Sequence, residues 1–166
     1  EEWDEMWYTI CAKEATISHR KTYPSKKEDY GLYFQDYLDF GHSISEDQYA
    51  NAMRYRENLS LQFRDLFSKV EVIVSPSGGM PNVLSEKIIR GSMSGWDPYL
   101  QDFDWHFNTL ANLTRTPALT MPCGESKAGA PSGLQLMADI LKDPLLFRVG
   151  YALEQATKWK EQHPDI

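Results

Sequence analysis

The sequence predicts an α/β fold, because three stretches with helical spacing of apolar residues precede a β-branched run, two further strand-like runs and a last helix. The chain has 166 residues, of which 42% are hydrophobic. A chain of this length and composition can bury most of its apolar surface in one core, so one compact domain is expected. We expect residues 1–68 to be helical and residues 69–160 to form a strand–loop–strand–helix arrangement.

The first three elements are predicted to be amphipathic helices. Apolar residues with spacings of three and four mark the first helix at Trp3, Met6, Trp7, Ile10 and Ile17. Aromatic residues recur at helical spacing over residues 30–38, and Gly41 offers a stop for this second helix. Ser45 and Gln48 form a capping box, so a third helix should run from about residue 47 to residue 68.

The strand-like runs are apolar and short. Residues 70–74 are mostly β-branched, and the run stops at Pro76, which cannot donate to a sheet ladder. Because the run does not alternate cleanly, we expect both its faces to be covered, as in an interior strand of a larger sheet completed by other sequence. Further strands are expected at Ala118–Met121 and Leu134–Ala138, and the Asp143–Pro144 pair favours a helix start with proline in its first position.

Composition excludes several classes of function. The net charge of −7 argues against a protein that binds nucleic acid through a basic face. No apolar run approaches the roughly 18 residues of a membrane span, and the first residues carry no signal-peptide pattern. We expect no membrane partner, and the compartment is unknown, with the cytoplasm as the default. Cys11 and Cys123 are too few for a disulfide framework, and neither they nor the histidines have zinc-ligand spacing. No metal or cofactor is expected.

Five segments share their order and spacing with a known family. Tyr49–Arg56 reads Y-A-N-A-M-R-Y-R, and Val72–Ser77 reads V-I-V-S-P-S. Asn112–Gly124 reads N-L-T-R-T-P-A-L-T-M-P-C-G and is followed by S-G-L-Q-L-M at Ser132–Met137. Phe147–Thr157, F-R-V-G-Y-A-L-E-Q-A-T, belongs to the last predicted helix. Together these segments resemble the C-terminal portion of the amidase-signature hydrolases.

The resemblance implies the amidase-signature fold over residues 1–166, with strands of a mixed sheet flanked by helices, and an amidase that acts on non-peptide carbon–nitrogen bonds. In that family a serine attacks the amide carbonyl, a second serine relays protons, and an unprotonated lysine acts as base. These residues lie upstream of the matched segments and have no match here. We therefore expect no catalytic residue in this chain, and an N-terminal portion of the same enzyme as its partner. The Gly/Ser-rich stretches Ser75–Gly79 and Gly91–Gly95 lie where the family has loops.

By the same resemblance, this part of the family forms a wall of the substrate pocket. The segment Ser77–Met80 follows a predicted strand, and ligands collect beyond such strand ends in open α/β sheets. The residues that we expect to bind substrate are Ser77, Gly78, Gly79, Met80, Trp96 and Phe107. Plain packing in the core is the alternative for Trp96 and Phe107, since large aromatic side chains are mostly buried.

One departure from the family pattern bears on the substrate, which we expect to be a small-molecule amide. The glutamine-dependent tRNA amidotransferases of the family anchor a carboxylate-bearing substrate with an arginine before the long helix and with an acid before the N-L motif. That arginine is absent around residues 36–41, and Asp104 is shifted by about one place. Loss of a bidentate partner favours a neutral amide. Two alternatives stay open: an inactive binding module of amidase descent, and a subunit of a split amidase or amidotransferase.

Overall fold

The computed structural model describes residues 2–77, 106–125 and 131–157. In chain order, these residues form α1 (Glu2–His19), a short 3-10 helix (Lys27–Asp29), α2 (Leu32–Ser43), α3 (Glu46–Phe67), β1 (Val72–Pro76), α4 (His106–Thr114), β2 (Ala118–Glu125), β3 (Pro131–Ala138) and α5 (Asp143–Ala156). The predicted α/β class is confirmed. The chain divides into two compact units, residues 1–62 and 63–166. Among the described helices, none has the length and hydropathy needed to cross a bilayer.

In the first unit, a glycine allows α1 and α2 to pack closely. A Cβ atom on Gly41 would lie 2.3 Å from the carbonyl oxygen of Ala12 and 2.6 Å from Cγ2 of Thr16, too close for any other residue. Leu38, one turn earlier, is fully buried. The prediction that Gly41 ends the second helix is wrong, since α2 continues to Ser43. Gly41 allows α2 to pack against α1, and the tendency of glycine to end helices gives no information about such a contact.

The start of α3 is fixed by the predicted capping box. The backbone N–H of Gln48 donates to the Ser45 hydroxyl at 3.2 Å, and the Gln48 side-chain oxygen accepts from the Ser45 N–H at 2.8 Å. Lys13 on α1 reinforces this end, because its Nζ donates to the carbonyl oxygen of Ile44 at 2.7 Å and pairs with Glu46 at 3.0 Å. The capping box therefore forms as expected and also lies against α1.

Asp39 holds the segment between α1 and α2 against the second helix. One carboxylate oxygen accepts from the Tyr23 hydroxyl at 2.6 Å, and the other accepts from Lys27 Nζ at 2.7 Å. Tyr23 is buried, and the Lys27 ammonium lies 5.6 Å from the centre of its ring. The hydrogen bond from Lys27, followed by that from Tyr23, holds the pKa of Asp39 below its ordinary value.

The second unit contains a three-stranded sheet in the order β1-β3-β2. β3 pairs antiparallel with both neighbours, and Leu136 lies between Val74 on β1 and Leu119 on β2. The parallel pairings of a mixed sheet are therefore not among the described residues. β1 begins at Val72, two residues later than predicted, and Val74 is 62% exposed. One face of β1 is therefore partly exposed among the described residues, whereas the sequence predicted that both faces would be covered.

Alternation along β3 gives the sheet two different faces. Leu136 and Ala138 point towards α5, where they form a buried core with Leu146. Partly buried residues that pack against this core are Val72, Leu119, Met121, Leu134, Leu145 and Val149. α5 begins at Asp143 as predicted, with Pro144 in its first turn. Gly133 and Gln135 alternate with these residues, so they lie on the face away from α5 and belong to the candidate site.

We predict that Gly41→Ala destabilises the protein by about 1–3 kcal/mol, because the added methyl group would overlap backbone atoms of α1 that cannot move aside. Gly31→Ala is the matched control, since nothing lies within 4 Å of a Cβ at that position. Urea unfolding should show a larger loss of stability in Gly41→Ala than in Gly31→Ala, which costs only the difference between glycine and alanine at the N-cap of α2. Equal midpoints for the two variants would contradict the close packing of α1 and α2.

Asp39→Asn should reduce the free energy of unfolding at pH 7, with a deficit that shrinks in acid. A carboxyl whose pKa is lowered from 3.8 in the folded state stabilises the fold above that pH and loses this contribution as pH falls through the lowered pKa. Asp36→Asn on the same helix is the control, because Asp36 is exposed. Thermal melts between pH 2 and 7 test this, and a constant Asp39→Asn deficit across that range would refute it.

Candidate functional site

The candidate site begins where the chain leaves β1. The N–H of Ser77 donates to the carbonyl oxygen of Gly133 on β3 at 3.0 Å. A Cβ atom on Gly133 would lie 2.3 Å from the Ser77 hydroxyl oxygen and 3.4 Å from Cγ2 of Thr120 on β2. The Ser77 side chain therefore occupies the space that a side chain at residue 133 would need. Among the described residues, the Ser77 hydroxyl has no hydrogen-bond partner.

Gln135 extends this site along β3. It lies two residues from Gly133, on the same face, and pairs with Ser75 and Thr120 on the two neighbouring strands. Its side chain is buried, and Nε2 donates to the carbonyl oxygen of Phe107 at 3.0 Å. This bond fastens the first turn of α4 to the sheet. We call Ser77, Thr120, Gly133 and Gln135 the Ser77 face.

The structure brings two of the predicted substrate-binding residues to this region. Ser77 belongs to the Ser77 face, and Phe107 is linked to it through Gln135. Phe107 is half-buried. The remaining four, Gly78, Gly79, Met80 and Trp96, lie outside the described residues.

Sequence reasoning missed three members of the Ser77 face: Thr120, Gly133 and Gln135. A signal for two of them was present in S-G-L-Q-L-M. The period of two along a strand places glycine and glutamine on the face opposite to the two leucines. Thr120 could be found only from the pairing of β2 with β3, which no local pattern specifies.

The opposite face of the sheet carries an open apolar groove of about 380 Å³ between β2 and α5. It is lined by Leu119, Met121, Phe147, Gly150, Tyr151 and Glu154. Phe147 and Tyr151 are about two-thirds exposed, at 67% and 65%. Glu154 is the one charged residue of this lining, so the groove is suited to apolar contact rather than to acid–base chemistry.

Neither Cys11 nor Ser75 is an activated nucleophile. Burial, and then the nearby Glu14 charge, raises the pKa of the Cys11 thiol to about 11, which keeps it protonated and unreactive at neutral pH. The Ser75 hydroxyl donates to the carbonyl oxygen of Pro76 at 3.1 Å rather than to a base. The residues that the structure describes contain no group of three His, Cys, Asp or Glu side chains that could hold a metal ion. The Ser77 face can provide hydrogen bonds and a shaped surface to a ligand.

We predict that Gln135→Leu lowers stability by about 1 kcal/mol, the net contribution of one neutral hydrogen bond, and loosens the first turn of α4. Amide hydrogen exchange of α4 should accelerate, while exchange in α5 stays slow. Gln155→Leu is the control, because it makes the same change at an exposed position. Unchanged exchange of α4 in Gln135→Leu would show that the bond to Phe107 does not hold this helix.

Comparison with known proteins agrees with the fold. The sequence model described as Amidase matches residues 9–147. The putative amidase AmiD of Mycobacterium bovis is 28% identical over 155 residues, which are 93% of this chain and 32% of that protein. A glutamyl-tRNA(Gln) amidotransferase subunit from Clostridium kluyveri is 35% identical over 121 residues, 73% of this chain and 23% of that protein. The chain thus spans a third or less of the length of these curated relatives.

Solved structures show the same arrangement of helices and strands. A 6-aminohexanoate cyclic dimer hydrolase in complex with substrate matches 99% of this chain and 37% of its own, with a TM-score of 0.76 and 18% identity. A bacterial aryl acylamidase of the amidase signature family matches 96% of this chain and 34% of its own, with a TM-score of 0.69 and 18% identity. The resemblance seen in the sequence motifs is confirmed at the level of the fold.

Proposed function

This chain belongs to the amidase family, and we propose that it forms the sheet core and one wall of the substrate pocket in a serine-nucleophile amide hydrolase. The observation that carries the proposal is the Ser77 face. There the Ser77 hydroxyl lies at a strand end beside Gly133, on the sheet face to which Gln135 fastens α4. Residues 1–166 would then be the C-terminal portion of the amidase domain.

Catalysis in this proposal comes from sequence outside the chain. Hydrolysis of an amide needs an activated nucleophile and donors aimed at the developing oxyanion. Cys11 is protonated and the Ser75 hydroxyl is bonded to a backbone carbonyl, so neither meets this need. The nucleophilic serine, the relay serine and the lysine base would belong to the N-terminal portion of the same enzyme, which is the proposed partner.

A neutral amide suits the Ser77 face better than a carboxylate-bearing substrate. The side chains of Ser77, Thr120 and Gln135 are polar but uncharged. Without a cation, this face has no charge-assisted partner for a substrate carboxylate. The proposed bond is a non-peptide carbon–nitrogen bond. The match to part of an amidotransferase supports one alternative, a subunit of a multi-chain amidotransferase.

We predict that the isolated chain cleaves no amide, and that it supports cleavage of neutral amides once the N-terminal portion of its own enzyme is added. In the reconstituted enzyme, Ser77→Ala should raise KM several-fold with a smaller effect on kcat, because a bond made equally in the ground and transition states is lost. Ser18→Ala, on the exposed side of α1, is the control.

Steady-state assays on primary amides and anilides check this. If the chain alone turns over an amide and this activity disappears in Ser77→Ala or Ser92→Ala, the proposal that the catalytic residues lie outside the chain is refuted. An inactive reconstituted enzyme that still binds amides would favour the binding module.

The open surfaces of the second unit are suited to contact with the N-terminal portion. β1 and β2 are the edge strands of the described sheet, and unpaired edges favour association with other chain segments. Val74, Phe147 and Tyr151 are each more than 60% exposed, although aromatic and β-branched side chains are usually buried. Two thirds or more of the length of the curated relatives lies outside the matched region, which is ample to cover these surfaces.

Alone, the chain should therefore associate with itself or melt without a sharp transition, and it should become monodisperse with one cooperative transition when the N-terminal portion is added. Phe147→Asp should weaken this complex at least tenfold, because it places a charge in an apolar contact. Leu32→Asp is the control, at an exposed position of the first unit. Light scattering and calorimetry provide the test. A monodisperse chain with one sharp transition by itself would contradict it.

A further inference from the structure

We infer that Gly133 is a positioning residue, which directs the Ser77 hydroxyl towards the polar atoms of a neutral amide substrate. The inference rests on the proposed function, because it assumes that Ser77 contacts substrate. It adds a role for Gly133, which does not contact substrate itself. It also explains why β3 has a residue without a side chain at this position.

Two contacts hold Ser77 against β3. Its N–H donates to the carbonyl oxygen of Gly133 at 3.0 Å, which fixes the backbone. Its side chain lies over the Cα of Gly133, since a Cβ there would be 2.3 Å from Oγ and 3.1 Å from Cβ of Ser77. The first contact would survive substitution of the glycine, whereas the second requires that residue 133 has no side chain.

Any side chain at residue 133 would displace Ser77 rather than Thr120. Thr120 Cγ2 is 3.4 Å from the hypothetical Cβ, a distance that requires little or no movement. The Ser77 oxygen at 2.3 Å would have to leave its place. A serine side chain has three staggered positions, and loss of the present one would turn the hydroxyl to another. The hydroxyl would then point away from the substrate contact that the proposed function assigns to it.

The geometry separates this role from a general structural one. If Gly133 acts through the hydroxyl, its substitution should matter only while the hydroxyl is present. Gly133→Ala should therefore reproduce the effect of Ser77→Ala, and the double variant should be no worse than Ser77→Ala alone. If Gly133 and Ser77 acted independently, the fold-increases in KM of the two single variants would multiply in the double variant.

The experiment uses the enzyme reconstituted with its N-terminal portion and measures KM and kcat for a neutral primary amide in Ser77→Ala, Gly133→Ala and the double variant. We expect KM to rise about threefold to tenfold in each, the range that corresponds to one neutral hydrogen bond, with kcat changed less. Gly31→Ala is the control glycine, because a Cβ there meets nothing within 4 Å. Melting temperatures show whether each variant folds.

The outcomes distinguish the inference from the proposed function. If Ser77→Ala raises KM but Gly133→Ala does not, the inference is overturned and the pocket assignment stands. If Ser77→Ala leaves KM unchanged, the pocket assignment fails and the inference fails with it. Should Gly133→Ala not fold, the double variant, which lacks the crowded oxygen, is compared with Ser77→Ala. Equal KM values support the inference, and a further increase in the double variant overturns it.

Discussion

Antiparallel pairing of β3 with both β1 and β2 determines which side chains of the second unit meet. Side chains alternate along a strand, so the observed register points Leu136 towards α5 and Gln135 towards α4. A shift of one residue would exchange the two faces. The leucines would then lose their core, and Gly133 would no longer lie beneath Ser77. Core formation and the geometry of the candidate site therefore depend on the same backbone pairing.

Close approach at a glycine occurs at three contacts between elements. Gly41 brings α2 against α1, and Gly150 brings α5 against Leu119, whose Cδ2 would lie 2.6 Å from an added Cβ. Gly133 differs from these two, because the atom above it is a hydroxyl oxygen rather than backbone or an apolar side chain. At Gly41 and Gly150 the missing side chain allows two elements to pack closely, whereas at Gly133 it leaves room for a hydroxyl at a strand end. This difference is why the Ser77 face, and not the apolar groove on the other side, is the better candidate for substrate contact.

The sequence predicted most elements because their signals are local. The α3 capping box needs only Ser45 and Gln48, which bond to each other three residues apart. Prediction failed at Gly41, where a contact with α1 outweighs the local tendency to stop a helix. For the candidate site, the family resemblance indicated Ser77 and Phe107. The local pattern S-G-L-Q-L-M places Gln135 on the face opposite to the leucines, but its neighbours Ser75 and Thr120 and its bond to Phe107 depend on contacts between segments distant in sequence, which no local pattern contains.

The most direct test of the Ser77 face as a pocket wall is a crystal structure of the full enzyme with a non-hydrolysable neutral amide analogue. We expect a polar atom of the analogue within about 3.2 Å of the Ser77 hydroxyl, the ordinary limit of a hydrogen bond. The analogue should also contact the backbone near Gly133. An analogue bound to the apolar groove between β2 and α5, or to a surface that includes no part of the Ser77 face, would contradict the account.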